Sequence, residues 1–378
     1  MRLLLWVVII IFYTGTIALA APSQTKTGLP TVRVGAVFSI TGPAAVTNGP
    51  SLSGIRRAID ELNLRGGILG HQVELLEFDN RSTPLGSKTA AEAAVAAGVI
   101  TVFGAAYSSH SLAMAPVLQS ARIPMLSPVS TIPRLTRMGN YIFRVCYNDL
   151  FQGRVMAAFA IEYMKSKTAG ILINADSSFS ETLGDRFNKD FTAMGGQVLF
   201  IRHYLEKSVD FSDAIRIMGS ASPDILILPG HVKDSGTIIK QARQKGINAP
   251  FIGGDGWSDL MYEPAGSFLA GSYYTTQWHP NFPGEKSRQF VARYKKNGWF
   301  LNPGSALAED CVFLFADALA RAGGFHTEAI RDAIAGTTYF NGVTGQIRFD
   351  ENGDTVKPAV ILKFGTDGSE YIKTVHPD

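Results

Sequence analysis

Short apolar runs alternate with longer amphipathic segments along most of this chain of 378 residues. In its first part the apolar runs lie at 32–39, 71–79, 99–106 and 123–126, and helical spacing of apolar residues is found between them at 52–62, 86–97 and 111–120. Strands that alternate with helices of this length indicate β-α-β units, which build parallel sheets with helices on both faces. The pattern therefore predicts an α/β fold.

The same alternation starts again after a break at residues 144–153. Strands are predicted at 168–174, 197–205, 224–230 and 250–255, with helices at 181–193, 211–219 and 233–244. Two such series, in a chain longer than a single hydrophobic core usually supports, predict two doubly wound parallel-sheet lobes.

The last hundred residues depart from this alternation. Helices are predicted at 283–296 and 305–322, and residues 345–365 are predicted to form a hairpin. Helices that follow the second sheet need a surface to pack on, so we expect the chain to return to the first lobe and then cross once more. The predicted N-terminal lobe comprises residues 31–146 and 280–343, the C-terminal lobe comprises 147–279 and 344–378, and three crossings form a hinge.

The N-terminal segment has the pattern of a secretory signal peptide. Arg2 precedes an apolar run over residues 3–12, and the stretch ends in Ala18-Leu19-Ala20. A basic start, about ten apolar residues and an A-x-A ending predict that residues 1–20 are removed near Ala20/Ala21 and that the protein is periplasmic. An uncleaved anchor is the alternative, although a spanning helix needs roughly 20 apolar residues.

Charge and cysteine content narrow the protein class further. The formal net charge is only +3 and no dense basic run occurs, so nothing points to nucleic acid as a partner. Cys146 and Cys311 either form one disulfide, as export would allow, or remain two buried thiols.

Hydroxyl side chains follow two successive strands of the first series. Ser108 and Ser109 come after one strand, and Ser130 and Thr131 come after the next. We expect them at loop-to-helix junctions, where unpaired backbone N–H groups together with hydroxyls suit a carboxylate. The alternative is that each hydroxyl only caps a helix.

Asp255 follows a strand of the second series, between glycines that let a ligand approach the backbone. An acid at this place would pair with an ammonium group, and Trp257 would form a wall of the same pocket. The alternatives are an Asx turn for Asp255 and packing within a lobe for Trp257.

The common catalytic and cofactor motifs are missing from the sequence. It contains no G-x-S-x-G, G-x-x-x-x-G-K-[ST], G-x-G-x-x-G or H-E-x-x-H, and its seven histidines show no metal-ligand spacing. His110 is interpreted as a helix-start or surface residue. The run DENGD at 350–354 lacks the later glutamate of a calcium loop and is interpreted as a turn. We therefore expect no enzyme activity, no metal and no cofactor.

An ordered set of short motifs carries a family resemblance over nearly the whole chain after the signal segment. The motifs are TGPAA (41–45), GG (66–67), FGAAYSS (103–109), LSPVST (126–131), GGDGW (253–257) and FDENGD (349–354). Together they resemble the periplasmic leucine/isoleucine/valine-binding family. The resemblance implies a type I periplasmic-binding-protein fold that traps a small amino acid between two lobes and delivers it to an inner-membrane ABC permease.

The resemblance also implies roles for individual residues. Ser108, the main chain of Val129, and Thr131 would hold the ligand's carboxylate, and Asp255 would hold its ammonium group. The aromatic residue that covers the ligand would be Phe179, and His231 occupies a place that is often aromatic. The remaining candidates for ligand contact are Tyr107, Ser130 and Trp257.

Two departures from the family pattern leave the ligand open. Branched-chain receptors usually have Glu where this chain has Asp255, and Tyr where it has Phe179 and His231. The expected ligand is a branched-chain or other aliphatic amino acid, and the alternative is an aromatic or other organic acid, an amide or urea.

Overall fold

The computed structural model describes residues 29–377. The predicted signal peptide, residues 1–20, lies outside the described residues. Within residues 29–377 no helix is long and apolar enough to cross a membrane. Cys146 and Cys311 are both buried free thiols.

Five parallel strands form the first sheet. They are β1 (Thr31–Phe38), β2 (Gln72–Asp79), β3 (Val102–Gly104), β4 (Met125–Ser127) and β5 (Ile142–Arg144), in the order β2-β1-β3-β4-β5. The helices between them are α1 (Ala45–Leu64), α2 (Pro84–Ala96) and α3 (Ser108–Ser120). Helix α1 buries the stripe that its spacing predicted, Leu52, Ile55, Ile59 and Leu62.

Seven strands form the second sheet. They are β6 (Thr168–Asn174), β7 (Gln197–Tyr204), β8 (Ile225–Ile227), β9 (Phe251–Gly253), β10 (Tyr273–Thr276), β13 (Ala359–Phe364) and β14 (Ser369–Val375). The two remaining strands, β11 (Phe340–Gly342) and β12 (Gly345–Ile347), form a separate pair. The order in the sheet is β14-β13-β10-β9-β8-β6-β7, with β13 and β14 antiparallel to their neighbours, and β11 pairs only with β12.

The remaining helices pack against the two sheets. They are α4 (Asp149–Ala158), which continues as a π-helical turn over Phe159–Tyr163, then α5 (Ser178–Ala193), α6 (Ser212–Ala221), α7 (Val232–Gln244), α8 (Tyr262–Ala265), α9 (Glu285–Lys296), α10 (Pro303–Ala322) and α11 (Thr327–Ala335). Apolar residues of α10 and α11 pack with those of α1 and the first sheet, as expected for a chain that returns to its first lobe.

The predicted hairpin over residues 345–365 is wrong. Strand β12 pairs with β11, whereas β13 pairs with β10 and β14. Five of the six residues of β13 are buried. A strand buried to this extent needs protein on both of its faces, and an isolated hairpin exposed to solvent would not provide that. The run DENGD does form a turn, in which the Asp350 carboxylate accepts from the amides of Asn352 and Asp354.

The chain passes between the two sheets three times, after β5, after β10 and before β13, and hydrogen bonds join these passages. The Tyr147 amide donates to Gln277 (3.0 Å), and the Thr355 hydroxyl donates to the Cys146 carbonyl (2.6 Å). The fully buried Arg144 guanidinium lies 2.7 Å from the Asp354 carboxylate. Hydrogen bonds and an ion pair therefore connect all three passages.

The exact lobe boundaries stay a prediction. Ile347, which lies beyond the predicted end of the N-terminal lobe at residue 343, packs in the apolar cluster of the first sheet, and the Phe349 ring contacts Phe143.

Candidate functional site

One cavity lies between the carboxyl ends of the strands of the two sheets, where open α/β sheets bind ligands. Eight of the nine candidate residues line it, namely Tyr107, Ser108, Val129, Thr131, Phe179, His231, Asp255 and Trp257. The first four follow β3 and β4, and the others follow β6, β8 and β9. The structure thus brings together residues from both sheets that are up to 150 positions apart in the sequence.

Ser108 stands at the start of α3, facing this cavity. It is the first residue of the helix, whose N-cap is Tyr107, and no side chain caps that end. The Ser108 hydroxyl accepts a long hydrogen bond from the Ile132 amide (3.4 Å), so it is not used as an N-cap. An uncapped helix start beside a hydroxyl is suited to an anion.

The expected helix junction after β4 is absent. Neither Ser130 nor Thr131 starts a helix; the next helical element is a 3-10 turn over Thr136–Met138. Thr131 nevertheless lines the cavity and is buried. The Ser130 hydroxyl does not reach the cavity, because it bonds to the carbonyl oxygens of Ala105 and Ala106 (both 3.1 Å).

Asp255 provides the negative end of the cavity. Burial raises its pKa from 3.8 to about 6, and the amides of Gln277 and Gln152 partly oppose this rise. Gln277 donates to the Asp255 carboxylate at 3.3 Å. No basic side chain in the described part of the chain is among the groups that shift this pKa. The carboxylate makes no Asx turn, since the Trp257 amide donates to the Gly254 carbonyl (3.1 Å).

Aromatic rings of residues that follow strands of both sheets stack in the wall of the cavity. The His231 ring stacks on Tyr107 with centroids 4.0 Å apart and an angle of 8°, and Phe179 lies 5.4 Å from His231. Burial lowers the pKa of His231, which keeps this ring neutral near pH 7. Trp257 is 1% exposed, and it combines its two predicted roles: it lines the cavity and it also packs against Phe364.

Sequence reasoning missed the side of the cavity formed by two helices of the first lobe. Thr47 and Ser51 lie one turn apart on α1, and Asn302, Gly304 and Leu307 lie at the start of α10. The dipeptide Asn302-Pro303 is a typical N-cap followed by a first-turn proline, so the helix start could have been found. That it faces the cavity depends on tertiary packing.

Comparisons with known proteins agree with this architecture. Residues 31–369 match the family described as periplasmic binding protein. The leucine-, isoleucine-, valine-, threonine- and alanine-binding protein of Pseudomonas aeruginosa is 25% identical over 343 residues, which cover 89% of this chain and 90% of the relative.

Two solved structures extend the similarity to three dimensions. A leucine-binding protein from Thermotoga maritima is 31% identical, with a TM-score of 0.89, and the match covers 92% of this chain and 99% of the other. A branched-chain amino acid transporter substrate-binding protein from Streptococcus pneumoniae, in complex with isoleucine, is 28% identical, with a TM-score of 0.87 and coverage of 92% and 100%.

Proposed function

The chain belongs to the family of periplasmic binding proteins, and on that premise we propose that it is the extracytoplasmic receptor of an ABC importer for a small aliphatic amino acid. The relatives described above are named for binding leucine, isoleucine, valine, threonine or alanine. In this proposal the protein binds and releases its ligand without changing it chemically, and a membrane permease receives it.

One observation carries the proposal: the two ends of the cavity differ in charge preference. The uncapped start of α3 with the Ser108 hydroxyl suits a carboxylate, whereas Asp255 is an acid without a basic partner among the residues that influence it. A buried charge without a partner is destabilising, and the ammonium group of an amino acid would provide one. A zwitterion complements both ends at once.

Apolar surface supports an aliphatic side chain. Trp257, Leu260 and Leu307 line the cavity together with the rings of Tyr107 and Phe179. Because these groups come from both sheets, a ligand that contacts all of them would favour a closed arrangement over an open one.

The test is a calorimetric comparison of ligands on protein that has been unfolded, dialysed and refolded to remove any bound solute. We expect leucine, isoleucine or valine to bind, and expect at least 100-fold weaker binding of 4-methylpentanoate, which lacks the amine, and of 3-methylbutylamine, which lacks the carboxylate. Asp255→Asn should weaken leucine binding by a similar factor, because it removes one side of a buried charge pair.

The matched control is Asp213→Asn, which changes an acid whose side chain is 97% exposed. The proposed function is wrong if 4-methylpentanoate binds the parent protein as tightly as leucine does, since Asp255 would then have no cation to hold.

A further inference from the structure

Three consecutive carbonyl groups in the segment between β4 and the 3-10 turn, the β4 loop (residues 128–135), are held by residues of the first passage. The Arg144 guanidinium donates to the carbonyl oxygens of Ser130 (2.9 Å) and Ile132 (2.7 Å). The Asp149 amide donates to the carbonyl between them, that of Thr131 (2.9 Å). A guanidinium carries five N–H donors in a rigid planar fork, so one arginine holds the main chain on both sides of a residue that lines the cavity.

Asp354, in the third passage, fixes the position of this guanidinium. Its carboxylate lies 2.7 Å from Arg144, and it also accepts from the Thr136 hydroxyl (2.8 Å) and the Asn148 side-chain amide (2.9 Å). Arg144 is 0% exposed and Asp354 is 6% exposed. Because the burial of two charges carries a large desolvation cost, such a pair is a poor source of stability, and a geometric role explains it better.

The contacts of Asp354 reach both sides of the hinge. Asn148 is the N-cap of α4, the first helix after the first passage, and Thr355, next to Asp354, donates to the Cys146 carbonyl (2.6 Å). The third passage is thus fastened to the first passage along residues 144–148, and through Arg144 it is fastened to the β4 loop. Neither Arg144 nor Asp354 lines the cavity.

We propose that Arg144 and Asp354 are positioning residues of the binding site: Asp354 holds the guanidinium in place, and the guanidinium holds the main chain on both sides of Thr131, so that the β4 loop is ordered before a ligand arrives. The inference rests on the proposed function. It gives the turn at 350–354, which supplies Asp354, a part in binding without any contact to the ligand.

A purely structural ion pair predicts a different result. Replacement of a buried ion pair by apolar residues of similar size is often neutral or stabilising, so Arg144→Met combined with Asp354→Leu should keep the stability of the parent. The double variant cannot make the hydrogen bonds to the carbonyls of the β4 loop. Stability and affinity should therefore separate in this variant only if the pair positions the loop.

The first experiment measures stability by urea denaturation and leucine binding by calorimetry, at a temperature at which every variant is folded. We expect the double variant to be at least as stable as the parent and to bind leucine about fivefold to twentyfold more weakly, because the β4 loop must then be ordered on binding. Arg144→Lys keeps the charge but lacks the planar fork, and it should weaken leucine binding by a similar factor.

The matched control removes an exposed ion pair. Arg33→Met combined with Glu74→Leu replaces a pair that lies 3.0 Å apart between β1 and β2. It should leave the Kd of leucine unchanged.

The second experiment follows the β4 loop without a ligand. Hydrogen exchange read by mass spectrometry should be faster over residues 128–135 in the ligand-free double variant than in the parent, and it should be unchanged over α10.

The outcomes separate this inference from the proposed function. Parent affinity in the double variant, or in Arg144→Lys if the double variant does not fold, overturns the inference and leaves the function intact. A loss of affinity that accompanies faster exchange over the whole protein does the same. A parent protein that does not bind leucine overturns the proposed function; the inference then falls if residues 128–135 exchange alike in the parent and the double variant.

Discussion

Asp255 illustrates at the scale of one residue how a binding site is kept ready at the expense of stability. Its pKa is raised to about 6 in the folded protein by burial, against 3.8 for the free side chain. The folded state therefore binds more protons than the unfolded state between these values, and the free energy of unfolding falls as the pH rises from about 4 to 6. The full loss, at most about 3 kcal/mol, is present above pH 6.

Asp255→Asn should consequently stabilise the ligand-free protein. We expect the variant to exceed the parent by about 1–3 kcal/mol in free energy of unfolding at pH 7.5 and to show no gain at pH 4, as measured by urea denaturation. Asp213→Asn, at an exposed position, should change stability by less than about 0.5 kcal/mol at either pH. A gain for Asp255→Asn that is equal at both pH values would refute the assigned cause.

The position of a single site residue was predictable where a short polar segment follows a buried strand. Ser108, Thr131 and Asp255 follow buried strands within about four residues, and the parallel arrangement places all three at the carboxyl ends of their two sheets, where the cavity lies. Ser130 could not be separated from its neighbour Thr131 in this way, because the direction of a hydroxyl depends on carbonyls contributed by the preceding strand end.

At the scale of elements, the contact between α1 and α10 supports one wall of the cavity. Both helices contribute lining residues, Thr47 and Ser51 from one and Asn302 from the other. They approach closely at Gly54, where a Cβ atom would lie 2.7 Å from the Ser305 carbonyl oxygen and 2.9 Å from the Ala308 Cβ. The helices can adopt this spacing because Gly54 has no side chain.

Gly54→Ala should therefore force α10 away from α1. We expect a loss of about 1–3 kcal/mol in free energy of unfolding, as for overpacking, together with weaker leucine binding. Gly219→Ala is the matched control, since this exposed glycine of α6 has only an ordinary contact at 3.5 Å, and alanine there should stabilise by about 0.5–1 kcal/mol. Unfolding in urea and calorimetry measure both effects. Equal stability changes in the two variants would argue against close helix packing at Gly54.

Elements with regular hydrophobic patterns were predicted within a few residues, whereas pairing between strands was not. The strand at Thr168–Asn174 agrees with the prediction, and α7 begins one residue earlier than predicted. The hairpin failed because proximity in sequence favoured a pairing of 345–347 with 359–364, while burial of β13 against β10 was available only in the complete sheet. Which strands pair in a sheet depends on the tertiary packing around them.

At the scale of the whole molecule, the repeated alternation was sufficient to predict two sheets built on parallel strands, and the two late helices were sufficient to predict three passages between them. The contacts between the two halves could not be predicted from this pattern, because each contact involves residues far apart in the sequence. The stack of Tyr107, after β3, on His231, after β8, is such a contact, and it lies at the wall of the cavity. Because the stack joins residues that follow different sheets, we expect it to stabilise the arrangement in which the two halves are closed on a ligand.

His231→Ala should weaken leucine binding about fivefold to tenfold, since an aromatic pair contributes about 0.5–1.5 kcal/mol beyond its buried area. The loss should appear mainly as faster dissociation in stopped-flow measurements, because the stack stabilises the closed complex and not the encounter. His231→Phe keeps a flat ring and should restore most of the affinity. His203→Ala, at an exposed position of β7, should have no effect on binding. If His231→Ala released leucine at the parent rate, or if His231→Phe were as weak as His231→Ala, stacking across the cavity would not be what holds the two halves closed.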